Sequence, residues 1–316
     1  MPDTRPIDSE ADRPLPRRPA AVPRPARANR PKFDVLDAVW IVLLTAWSLT
    51  VAARVVGFLP NTTGGLLAGI GTVAALYLLG WRARDRVAGL SAGLLAATSL
   101  PFLHLCADSP QSALFALLTV AALFAFVAGS SLAALVLAAG AAFVRPDGLL
   151  LGLLLAGISI AQHRRRSIYG AALYVAAVPA LWAAQIAFGH SRLQLPHLSL
   201  QTLVLHFLTA SASLLLLWFL LPLAAEISEP MRRARWLPVL LWTFLTVGVD
   251  LIYSPVNPGS MLLPLMAMLF ALSGGGVSRL LPTLTGEIPR PLLRYALAAL
   301  AVLALVGLHY RLEHSL

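Results

Sequence analysis

The chain has 316 residues, of which 58% are hydrophobic and 12% charged, about half the charged share of an ordinary soluble domain. Apolar runs near 20 residues, about the length that crosses a bilayer as a helix, recur along most of it. No soluble core needs so many, so the composition reads as a polytopic membrane protein. The net charge of +10 does not indicate nucleic acid, because no basic patch is interleaved with stacking aromatics. The charges fall in short loops and in the N-terminal tail, as orientation signals do.

Residues 1–32 read MPDTRPIDSEADRPLPRRPAAVPRPARANRPK, with eight Pro and eight basic residues. Such a segment cannot bury a core, and the expectation is a disordered Pro/Arg-rich cytoplasmic tail. It lacks the short apolar stretch and cleavage site of a signal peptide. Its basic charge holds the N-terminus in the cytoplasm, with lipid headgroups as a secondary contact.

Residues 33–316 form the expected transmembrane domain, an all-α bundle of about eleven transmembrane helices. The apolar segments run roughly 36–58, 64–81, 87–106, 111–128, 131–144, 148–162, 168–188, 200–225, 236–253, 260–273 and 291–309. The fifth, sixth and tenth are short, and two shallow elements are an alternative to one pair of spans. With the N-terminus inside, the alternate loops on that side contain 20 of the 24 Lys and Arg residues, the asymmetry that the positive-inside rule describes. Trp40, Trp81 and Trp236 fall near the inner boundaries, as aromatic anchors do.

Four of the fourteen acidic residues lie outside the tail, the inner loops and their edges: Asp108, Asp147, Asp250 and Glu313. The other ten are read as solvated charge. Glu313 sits in the C-terminal tail, but Asp108, Asp147 and Asp250 lie at outer helix ends, where an ionisable group tends to face a cavity or a partner. The segment RPDG, Arg145 to Gly148, interrupts an apolar run with two opposite charges around a helix breaker. As a turn it needs no more than Pro and Gly, with Arg145 and Asp147 as a local ion pair. As chemistry it presents an Arg at the outer edge, where positive charge is otherwise rare. In the same way, Asp108 is either a cap for the next helix or a site carboxylate.

His104 and Asp108 are four residues apart and share a face if the helix runs that far; a two-residue set is weak evidence for a divalent metal. The lone cysteine, Cys106, excludes an intramolecular disulfide and a cysteine-based metal site. GLLAG at 65–69 and GLSAG at 89–93 fit the small-residue pattern of close helix packing, although chance matches are common in a chain this rich in Ala and Gly. No phosphate-binding glycine loop, dinucleotide fingerprint, HExxH or GxSxG is present.

The order of several segments resembles the GT-C membrane glycosyltransferases, in particular the protein O-mannosyltransferase-like and aminoarabinose-transferase-like branch. The run at 72–126 has a helix, the basic turn WRARDR, a helix ending at ATSLP, and then an acidic residue, Asp108, before the next helix. RPDG followed by LLLGLLLA is similar to the family's RPEG turn, and SPVNPGSMLLPLMAMLFALSG at 254–274 resembles its late RYLLPLLPLLALL helix. The resemblance covers about 70% of the chain and rests on order and spacing rather than on one motif. It implies transfer of a sugar from a polyprenyl-phosphate carrier to an acceptor on the outer side. A carboxylate then deprotonates the acceptor and an Arg steadies the phosphate leaving group. The residues implied are Asp108, Asp147 and Asp250 as catalytic groups, with Arg145, His104, Tyr253 and Asn257 as substrate contacts. The partners implied are membrane lipid and a lipid-linked sugar, and no nucleic acid.

The chain departs from the family in three places. The first outer link, GFLPNTTGG, has no Asp or Glu where the family carries its main catalytic acid; Gly259 and Ser260 replace the late RY; and the large C-terminal outer domain is missing. A catalytically silent subunit or scaffold with a partner subunit is therefore the alternative expectation. A lipid or sugar transporter is a further one, although the internal repeats and mid-membrane charges that it calls for are not evident.

Overall fold

The computed structural model describes residues 33–55, 60–162, 165–187, 230–252 and 259–285, together with a few positions between 293 and 304. The tail 1–32, the apolar segment 200–225 and most of 291–309 lie outside the described residues, as do Tyr253 and Asn257.

The described chain is all-helical: α1 Val35–Val55, α2 Pro60–Ala83, α3 Arg86–Thr98, α4 Leu100–Asp108, α5 Pro110–Val127, α6 Ser131–Val144, α7 Asp147–Ala161, α8 Arg165–Ala187, α9 Pro230–Ile252 and α10 Gly259–Thr285. Four of these, α1, α2, α5 and α10, are long and apolar enough to cross a membrane, or five if the bent pair α3–α4 counts as one span. The central layer is α2, α3, α5 and α10, with α1 against α2 and α3, and α6, α7 and α8 following in sequence from α5.

Small residues set the helix spacing. A side chain on Gly80 would meet the backbone of Ala88 and Gly89, and one on Gly274 would meet Ala88 and Ala92, so α2 and α10 both approach the start of α3 closely. Gly65 and Gly69 seat against Cys106, and Gly93 against Leu44. The two Gly-containing motifs at 65–69 and 89–93 thus lie at helix contacts, where backbones approach closely enough for dispersion to hold helices in lipid.

The apolar segment 87–106 is two helices. The chain bends by 65° between α3 and α4. Pro101 stands at the start of α4, and the Ser99 hydroxyl accepts from the Phe102 N–H at 3.4 Å. Pro supplies no N–H to continue α3, whereas Ser serves as the new helix's cap. Phe102, Leu103, Cys106 and Ala107 then bury one face of α4, and Phe102 meets Phe270 of α10 edge-on at 5.8 Å.

Between α5 and α6 the chain reverses in three residues. Gly129 has φ 92°; Ser130 N–H donates to Ala125 O and Gly129 N–H to Phe126 O, both at 2.9 Å. This pattern is a Schellman stop, in which Gly takes the left-handed position without strain.

Trp81 and Trp236 are 6% and 0% exposed, with their rings packed against protein. Gly89 makes the room, since α3 closes directly on the Trp81 backbone and Cβ there.

Candidate functional site

RPDG is a hydrogen-bonded turn between α6 and α7. Gly148 N–H donates to Arg145 O at 3.0 Å, with Pro146 at φ −57° in the second position, the place where its fixed φ suits a tight turn. Gly148 is needed for a different reason. A Cβ there would collide with the backbone of Ala141 and Ala142, so its absence lets α7 fold back along α6. The Tyr174 hydroxyl of α8 donates to the Gly148 carbonyl at 3.3 Å, and the same ring lies over Gly152.

The two charges meet each other. Arg145 Nη2 donates to Asp147 Oδ2 at 2.5 Å, with 13% and 18% of the side chains exposed. The guanidinium carbon stands 4.8 Å from the Phe115 ring centroid, within reach of a cation–π attraction. The local ion pair read from the sequence is therefore present, and the ring of a neighbouring helix holds its Arg from the side.

That contact places the turn along α5. Phe115 is five residues past Pro110, the first residue of α5, or about 7.5 Å along the axis. Helices α6 and α7 have 14 and 15 residues, so each is about 21–23 Å long, against a hydrocarbon thickness of about 30 Å. The Arg145 guanidinium therefore meets α5 about one and a half turns inside that helix's start.

Asp108 is the last residue of α4 rather than the first of the next helix. Ser109 stands at the N-cap of α5, and its hydroxyl donates to Ser112 Oγ at 2.9 Å. Asp108 and His104 are both exposed, one turn apart on the face of α4 opposite its buried residues. The chain order α4–Ser109–α5 and the Arg145–Phe115 contact bring Asp108, His104, Arg145 and Asp147 to the same end of the bundle. Asp250 lies in the last turn of α9, and its side chain is outside the described residues. Among the described residues, no group of three or more His, Cys, Asp or Glu side chains could hold a metal ion.

The opposite end, around WRARDR, holds a polar network that the sequence reading missed. Asp37 of α1 is fully buried. Arg86 grips it with Nε to Oδ1 at 2.7 Å and Nη2 to Oδ2 at 3.0 Å, and the Tyr77 hydroxyl donates to Oδ1 at 2.8 Å. Beside it, Asp85 caps α3 through the Ala88 N–H at 2.9 Å, and its other oxygen accepts from Ser278 of α10 at 2.6 Å. Arg84 Nε donates to the same Ser278 hydroxyl at 2.7 Å. Asp37 is thus not the solvated charge expected of it, whereas Asp85, with 47% of its side chain exposed, is hydrogen-bonded but still partly solvated. A signal did exist, since Asp37 falls inside the apolar run 36–58, and an ionisable group within such a run implies a partner. The partner, 49 residues away, was not visible.

Among the described residues, the fold and this arrangement define an all-helical bundle with four or five helices long and apolar enough to cross a membrane, bearing charge at both of its ends. No family model matches the chain, nor does any curated protein or solved structure.

Proposed function

We propose that this chain is an integral membrane glycosyltransferase that takes a sugar from a polyprenyl-phosphate-linked donor at the extracytoplasmic face. In this reading the bundle is GT-C-like with eleven spans. It lies in the bacterial inner (plasma) membrane, with the N-terminus cytoplasmic and the RPDG end outward. The observation that carries the reading is Arg145, a partly exposed guanidinium held by Asp147 and by Phe115 near the start of α5. A phosphate on a long apolar chain arrives from the lipid and meets that guanidinium, where a fork of N–H donors binds its oxygens in pairs. Asp147 balances the Arg while the site waits for donor. Asp108, exposed at the same end, is the acceptor base, with His104 one turn away as a polar contact. Asp250 is assigned as a further catalytic carboxylate, and Tyr253 and Asn257 as sugar contacts.

One observation favours a second reading. Arg145 already has a carboxylate partner, as it would in a catalytically silent GT-C-like subunit that serves a partner subunit. Binding and turnover of a polyprenyl-phosphate sugar by the purified protein separate the two. The expected outcome is binding and sugar release by the native chain. Arg145→Lys loses the bidentate fork and weakens donor binding by about tenfold, or about 1.4 kcal/mol. Asp108→Asn keeps binding and abolishes transfer. Binding without any transfer by the native chain selects the silent subunit, and no donor binding at all overturns both readings.

A further inference from the structure

Helix α1 is the least embedded of the long apolar helices. Of its membrane-length window 22% is buried, against 61% for α2, 56% for α5 and 94% for α10. Val39, Val42, Leu43 and Trp47 point outward from it. In lipid, such a surface gains little by moving against protein, because the acyl chains are as apolar as the side chains; close packing and hydrogen bonds hold helices together instead. One face of α1 does pack: Leu44 seats against Gly93 of α3, Ala52 clusters with Leu66 and Ala107, Ser48 is fully buried, and Trp40, Ile41 and Val51 lie against the core. Asp37 adds the charged contact of that face. Its carboxylate is fully buried and takes two hydrogen bonds from Arg86 at the start of α3 and one from Tyr77 of α2. A buried carboxylate is tolerated only with such partners. It also stands in the first turn of α1, at an end of the helix, where leaving the bundle returns it to water.

We propose that the Asp37–Arg86–Tyr77 cluster is a docking clamp: polar contacts at one end of α1 decide whether that helix is seated on α2 and α3. The pairs α2–α5, α3–α10 and α2–α3 are packed more extensively than α1 is on either α2 or α3. Helix α1 is then a separable element, and the clamp is its latch.

Two cysteine pairs test this in full-length protein in membranes, in a Cys106→Ala background. Leu44→Cys with Gly93→Cys reports α1 on α3, and Gly71→Cys with Leu117→Cys reports α2 on α5; both pairs join positions in side-chain contact. Asp37→Asn and Arg86→Gln, each alone, are expected to slow oxidative cross-linking of the first pair by about tenfold and to leave the second pair unchanged. Unchanged cross-linking of the first pair in either variant overturns the proposal. So does parallel loss of both pairs, which would make the cluster part of the whole bundle's stability rather than the latch of one helix.

Discussion

The two ends of the bundle use the same chemistry, an Arg paired with an Asp, in opposite ways. At the RPDG end the partners are two residues apart within one turn, both are partly exposed, and the Arg also lies over Phe115 of α5. At the WRARDR end the partners are 49 residues apart, the carboxylate is fully buried, and the pair ties α1 to α3 with Tyr77 of α2 on the same oxygen. A pair that spans the fold is committed to it. A local pair can be exchanged for a ligand at little cost to the fold, so the RPDG end is the better place for a site.

The largest effect expected from this contrast is at the spanning pair. Arg86→Ala strands the buried Asp37 and is expected to cost the seating of α1 about 3–5 kcal/mol, measured by unfolding in detergent as an early step in which α1 leaves ahead of the rest of the bundle; a loss below about 1 kcal/mol would put the two ends on a par. A smaller effect is expected where the local turn meets the packing. Gly148→Ala sets a Cβ against the Ala141–Ala142 backbone and is expected to cost about 1–3 kcal/mol as α6 and α7 are forced apart. If it were neutral by the same measurement, the turn holding the RPDG charges would be loose rather than built. The smallest effect is at the local pair itself. Asp147→Asn leaves Arg145 over Phe115 with some access to water, and a stability change of about 1 kcal/mol or less is expected in the same assay. A loss as large as that from Arg86→Ala would make RPDG a structural pair and remove the reason to place a site there.

Length, hydropathy and residue type determined much of this protein without its coordinates. The low charge and the recurrent apolar runs demanded helices, because a backbone without water must satisfy its own hydrogen bonds. RPDG carried its turn chemistry, with Pro and Gly at the positions that such a turn favours, and the proximity of Arg145 to Asp147 followed from sequence spacing alone. Local rules suffice there because both partners belong to one turn. The bend at Ser99 was written locally as well, in a Ser two residues before a Pro, but a continuous apolar run from 87 to 106 hid it, since hydropathy does not register direction.

What tertiary structure decided are the relations between distant residues. Phe115 lies beneath Arg145; Cys106 packs against Gly65 and Gly69; Trp81 and Trp236 are buried against protein. Asp37 is the sharpest case. By sequence it is one more acidic residue near a helix start, and only the packing of α1 on α2 and α3 turns it into a buried anion with three donors. The physical reason is range. Hydropathy, caps and turns act within a few residues along the chain, whereas burial and long-range pairing depend on which helix faces come together, and in an apolar solvent nearly every face is alike by composition.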